Sequence, residues 1–138
     1  IDDNDNLDYF LYKFNISKQN QKRMKIIDNF YKEKMTVNTF IEKNMNKVLY
    51  YHGKQAVLDI LNLRIVKSKK INKTLIELSQ TYRGKKIPSM PISADLLMKK
   101  YNISEGKQLG QKLKTIEQIW VKNDFKISDQ QVDNIINN

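Results

Sequence analysis

The sequence predicts an all-α fold: a bundle of short antiparallel helices followed by a C-terminal lobe like a helix-hairpin-helix. Three observations predict it. Apolar residues recur at three- and four-residue spacing in nearly every segment, strand-like alternation is missing, and capping residues or glycines separate the periodic stretches. At 138 residues, 40% hydrophobic and 29% charged, the chain has the balance of a globular protein able to bury a core. Pro88 and Pro91 interrupt the helical pattern. They divide the chain into a helical body, 1–87, and a helical tail, 88–138, which form one compact unit if the halves pack together.

Asp2, Asp3, Asp5 and Asp8 open the chain. A calcium loop needs a glycine and a bidentate glutamate where Leu7 and Lys13 stand, so the acids are read as a helix start, favourable at the positive end of the helix dipole. Leu7, Phe10, Leu11 and Phe14 are the apolar stripe of that first helix. Ser17 caps a second, to about Lys34, with Met24, Ile27, Phe30 and Tyr31 inward and Lys18, Lys22, Arg23 and Lys25 outward. A third runs from about Val37, burying Phe40, Ile41, Met45, Val48 and Leu49, and stops at Gly53. After the tight turn Tyr51-His52-Gly53 a fourth buries Ala56, Val57, Ile60, Leu61 and Leu63. Ile71, Leu75, Leu78 and Tyr82 mark the next, which exits at Gly84. In the tail, Ser93 caps a short helix that turns Leu96, Leu97 and Met98 inward. Ser104 caps a longer one with Leu109, Leu113, Ile116, Ile119 and Trp120, and Ser128 caps a last one with Val132 and Ile135.

The formal net charge of +10 favours a polyanionic partner. Of the 25 basic residues 22 are lysine, whose codons are AT-rich, so genomic base bias is a second source of the excess. With no cysteine, disulfides, thiolate metal sites and cysteine nucleophiles are excluded. His52, the one histidine, has no partner in a ligating or nucleophilic pattern and reads as a capping or packing residue. Neither a catalytic residue nor a metal ligand is assigned. No apolar run reaches the roughly 18 residues of a membrane span, and the start lacks signal-peptide order, so the expectation is a soluble, cytoplasmic protein without a membrane partner.

Two stretches are candidate RNA contacts. Arg64, Lys67, Lys69, Lys70, Lys73, Arg83, Lys85 and Lys86 lie in one segment with Glu77 as its sole acid. Charge at both ends of a helix suits a clamp on a phosphate backbone, and a solvated connection accounts for it equally. In the tail, Gly106 and Gly110 would let a backbone approach, the helix start offers N–H groups, and Lys107 and Lys112 supply charge, while on the alternative reading the two glycines serve helix packing alone. Trp120 reads as core rather than as a base-stacking platform.

The turn L-Y-Y-H-G at 49–53, the run P-I-S-A-D-L-L at 91–97, and then Ile103, Gly106, Leu109-Gly110, Leu113, Ile116-Glu117, Trp120 and Asp124-Phe125 form an ordered set. In order and spacing, the chain from Tyr50 onward resembles the C-terminal part of the bacterial tRNA nucleotidyltransferase and poly(A) polymerase family. It departs at Ser104-Glu105-Gly106-Lys107, where the family commonly has proline, glycine, proline, and in carrying Trp120 without a second tryptophan beside it. The resemblance implies a body and tail that grip the acceptor arm and elbow of tRNA, independently of sequence, for CCA addition at the 3′ end. It places Mg²⁺, CTP and ATP on a catalytic head with a glycine-serine motif and paired carboxylates. This chain has no Gly-Ser pair, and Asp3 and Asp5 have the spacing without the preceding strand, so the head is expected outside it, in cis or as a separate chain. By itself the chain is expected to be inactive. The alternative is a protein-interaction module that docks to a separate catalytic subunit or forms a homodimer.

Overall fold

A computed structural model describes residues 6–33 and 37–137. Among the described residues the fold is all-α, without a strand. The elements are α1 (Leu7–Lys13), α2 (Lys18–Lys32), a 3₁₀ turn (Val37–Phe40), α3 (Glu42–His52), α4 (Lys54–Lys67), α5 (Lys73–Gly84), α6 (Ala94–Tyr101), α7 (Lys107–Lys122) and α8 (Asp129–Asn137). No helix is long and apolar enough to cross a membrane. The chain divides into two compact units, Ile1–Lys86 and Ile87–Asn138. Asp2, Asp3, Asp5 and Lys34 of the sequence reading lie outside the described residues.

The first unit is built around α4, which packs against α2, α3 and α5. Val57, Ile60 and Leu61 are fully buried, and Met45, Leu49 and Tyr82 close over them. A helix covered from several directions needs apolar residues on more than one side, and α4 has them in the run Ile60-Leu61 and at Leu58 and Ile65. Gly53 alone separates α3 from α4, at φ +85°, a conformation side-chain-bearing residues rarely adopt. The hairpin of α4 and α5 is antiparallel. Its tip is the five-residue link 68–72, and at the other end Lys54 Nζ, at the start of α4, donates to the Arg83 carbonyl at 3.0 Å.

Ser17 caps α2 as expected, accepting from the Asn20 N–H. Several other expectations are corrected. Ile71 is 85% exposed because α5 starts two residues later, with Asn72 Oδ1 accepting from the Leu75 N–H as its cap. Ile41 is 44% exposed because the 3₁₀ turn precedes α3 and leaves it at the helix boundary. On α1 only Leu11 is buried, while Phe10 and Phe14 stack on each other at the surface. Arg23 does not point away from the body: it donates from Nε and Nη2 to both oxygens of Asp59 on α4, at 2.8 and 2.7 Å.

In the second unit Leu97, Leu109, Ile116, Val132 and Ile136 form the core. Ser93 caps α6, and Ser128 and Gln131 cap α8 reciprocally, each accepting from the other's N–H. Ser104 is not the cap of α7. That position belongs to Gly106, since Asn102 in the left-handed region ends α6 and the link takes up Ser104 and Glu105. Leu96 is 42% exposed, and the inward residue of its turn is Leu97. The end of α7 is a Schellman motif: the Phe125 N–H donates to the Trp120 carbonyl at 2.8 Å, Asp124 is left-handed, and the Phe125 ring packs on Trp120 at 5.0 Å. This motif gives Trp120, Asp124 and Phe125 a structural reason to occur together.

Burial pushes the Asp59 carboxyl up, but hydrogen bonds from Arg23 and Gln55, with the Arg23 charge, outweigh it and hold the group below its ordinary value. A carboxylate held low contributes stability above its unfolded value, about 4, and the contribution disappears as pH falls through the lower folded value. Asp59→Asn is therefore expected to lower stability at neutral pH and to flatten its decline in acid. Urea denaturation from about pH 6 to about pH 3 reads both, and an acid decline as steep as that of the unchanged protein would refute the assignment.

Candidate nucleic-acid interface

Residues 1–86 carry 18 Lys and Arg against 9 Asp and Glu, and residues 87–138 carry 7 against 6. The net charge of +10 thus belongs almost entirely to the first unit, +9 against +1. Any contact driven by phosphate neutralisation is expected there.

Within that unit the α4–α5 hairpin collects the charge. Arg64 and Lys67 sit on the last turns of α4, Lys69 and Lys70 in the link, and Lys73 at the start of α5. Together they surround a shallow open depression of about 600 Å³, with no acidic residue on its lining. The depression suits a chain lying across it rather than an enclosed small molecule. Aromatic rings hold two of these cations from below. The Arg64 guanidinium is 5.3 Å from the Phe40 ring centre, and Lys67 Nζ is 5.7 Å from that of Tyr31. Phe30, Tyr31 and Phe40 pack on one another at 5.8 to 6.1 Å, and the Tyr31 hydroxyl donates to the Ile60 carbonyl at 3.1 Å. Burial pushes the Tyr31 hydroxyl up to about 12 against a smaller downward pull from Arg64, so the ring against Lys67 is uncharged at neutral pH. A guanidinium seated on a ring keeps its donor edges for phosphate.

The remaining basic candidates are placed differently. α5 is 12 residues long, so Arg83 lies about 15 Å along the axis from Lys73, and Lys85 and Lys86 beyond it, at the opposite end of the hairpin. Arg83 and Lys86 are exposed. Lys85 is engaged internally: its Nζ donates to Glu42 Oε1 at 2.7 Å and Asn46 Oδ1 at 2.8 Å, and lies 4.8 Å from the Tyr82 ring centre. The buried Tyr82 hydroxyl shares its proton between the Glu42 carbonyl and Asn46 Oδ1. Lys85 thus ties the end of α5 to the start of α3.

The tail hairpin changes in the same way. Lys107 is exposed, but Lys112 Nζ donates to the carbonyls of Ile135 and Ile136 at 3.1 and 2.7 Å, capping the end of α8. Gly106 caps α7, and the Gly110 N–H is used by the Gly106 carbonyl. A Cβ at Gly110 would meet nothing within 4 Å, so helix packing does not require the glycine. Elsewhere in this unit the Tyr101 hydroxyl donates to Asp133, whose bond pushes the tyrosine up, with burial adding to it. A tyrosine held protonated is not poised as a nucleophile or base.

Among the described residues no group of three or more His, Asp or Glu side chains is gathered where a metal would bind. His52 is exposed at the end of α3. Comparison with known protein families, curated proteins and solved structures gives no match.

Sequence reasoning missed the aromatic support under the basic tip. Its one signal was the spacing of Ile60, Arg64 and Lys67, which puts all three on one face of α4. Gly110→Ala is expected to raise stability toward denaturant by about 1 kcal/mol or less, since the methyl enters open space in a helix interior. A destabilised variant would show that the bare backbone at 110 is needed.

Proposed function

We propose that this chain is a non-catalytic RNA-binding module that holds a phosphate backbone on the tip of the α4–α5 hairpin. The observation that carries the reading is five cations in ten residues, 64–73, without an acid, gathered around one depression with two of them seated on aromatic rings. Point charges spread over a shallow surface neutralise phosphates without reading bases, so the binding is sequence-independent. The resemblance described above gives the reading its most concrete form. The chain would be the body and tail of a tRNA nucleotidyltransferase or poly(A) polymerase, positioning the acceptor arm and elbow of tRNA for a catalytic head carried elsewhere. Lys85 and Lys112 are left out of the proposed contact because their ammonium groups serve the fold.

The test is a salt titration of tRNA affinity. Changing Arg64, Lys67 and Lys70 together to Gln is expected to weaken binding and to reduce the slope of log K against log salt by about 2 to 3. The same loss of three charges at Lys99, Lys122 and Lys126, all exposed in the second unit, is expected to leave the slope nearly unchanged. Equal effects of the two sets would reduce the binding to bulk charge and end the proposal.

A second reading, a protein-interaction or dimerisation module, is favoured by one observation. Tyr9, Phe10, Tyr12 and Phe14 are 65, 40, 86 and 56% exposed, on and just after a helix that buries only Leu11. Tyr12→Ser with Phe14→Ser is expected to leave a monomer unchanged. If light scattering instead finds a dimer that these substitutions dissolve, and tRNA does not bind, the second reading displaces the first.

A further inference from the structure

A half-enclosed concavity of about 210 Å³ lies within the first unit, between α2, the 3₁₀ turn and α3. Ile60 of α4, fully buried, lies behind it. The rings of Phe30 and Tyr51 line it, and the exposed Asn29, Glu33 and Lys47 bring an amide, a carboxylate and an ammonium to its rim. That volume is below the roughly 300 to 1,000 Å³ of a drug-sized site and fits one planar ring system rather than a whole cofactor.

The concavity is joined to the cationic tip in two ways. Ile60, Arg64 and Lys67 follow at spacings of four and three along α4, so the residue behind the hollow and the cations share a helix face, with the cations about 6 and 10 Å farther along the axis. Phe30 also packs at 5.8 Å on both Phe40 and Tyr31, the two rings that carry Arg64 and Lys67. The hollow and the cations are thus linked through one face of α4 and one cluster of rings.

We propose that this hollow receives one unpaired nucleobase of an RNA whose phosphates lie on Arg64 and Lys67. The inference rests on the RNA-binding reading and adds a base site to it. The rings supply a stacking surface, and the amide and carboxylate supply hydrogen bonds to a base edge, as in recognition of bulged or looped-out nucleotides. A base held in a duplex is too wide to enter, so the site selects RNA with an extruded nucleotide.

The test uses two duplex RNAs, one with a single bulged adenosine and one with an abasic nucleotide in its place. The adenosine bulge is expected to bind about tenfold tighter, within the range that stacking on aromatic side chains supplies. Tyr51→Ala and Asn29→Ala, both at surface positions, are each expected to remove that preference while leaving abasic-duplex affinity and its salt slope intact. Two variants keep the test open if one misfolds. Equal affinity for the two RNAs with steep salt dependence would overturn the base site and leave the backbone grip standing. A preference that survives both substitutions would also overturn the site, and no affinity for either RNA would overturn both readings.

Discussion

The first unit depends on the burial of α4. Val57, Ile60 and Leu61 lose all contact with water under residues from α2, α3 and α5, and truncating side chains so placed costs about 2 to 5 kcal/mol each. Because α4 is held from several sides, its end is a rigid mount. Arg64 and Lys67 project from its last turns, and the link to α5 is short enough to keep Lys69, Lys70 and Lys73 beside them. The same packing that stabilises the body therefore gathers the charge.

Burial also decides which cations are free to act outward. Lysine has one donor group on a flexible stem, and that group settles wherever unpaired acceptors are close. At Lys85 the acceptors are Glu42 and Asn46, and at Lys112 they are the last carbonyls of α8. Arg23 is taken by Asp59 in a two-point bond that fixes α2 against α4. At the hairpin tip no carboxylate lines the depression, and what lies beneath the charge is aromatic. An aromatic face steadies a cation without neutralising it, which is the condition a phosphate-binding surface requires.

The small hollow beside Ile60 follows from the same packing. α2 and α3 each pack on α4, and Phe30, Tyr51, Asn29 and Asn44 stand around a space left open to the surface. The second unit is nearly neutral and spends its lysine at 112 and its glycine at 106 on helix ends. Trp120, with Asp124 and Phe125, terminates α7 by a Schellman motif, so these residues are accounted for by the fold.

The amino-acid sequence by itself determined the helical class, the break at Pro88 and Pro91, the caps at Ser17, Ser93 and Ser128, and the core positions Ala56, Val57, Ile60 and Leu61 of α4, though not Leu63, which is only half-buried, because these follow from local periodicity and hydrogen-bonding chemistry within a few residues. It also placed the basic cluster at 64–86. Only the tertiary structure decided which of the chain's charges are spoken for. Lys85 meets Glu42 across 43 positions, Arg23 meets Asp59 across 36, and Lys112 meets Ile136 across 24, separations at which no local pattern speaks. Ile71 and Ser104 were misread for a related reason. Each has the side chain of the role assigned to it, but Asn72 and Gly106 took the helix starts, and that competition is settled by where the helix must point to bury its next turn.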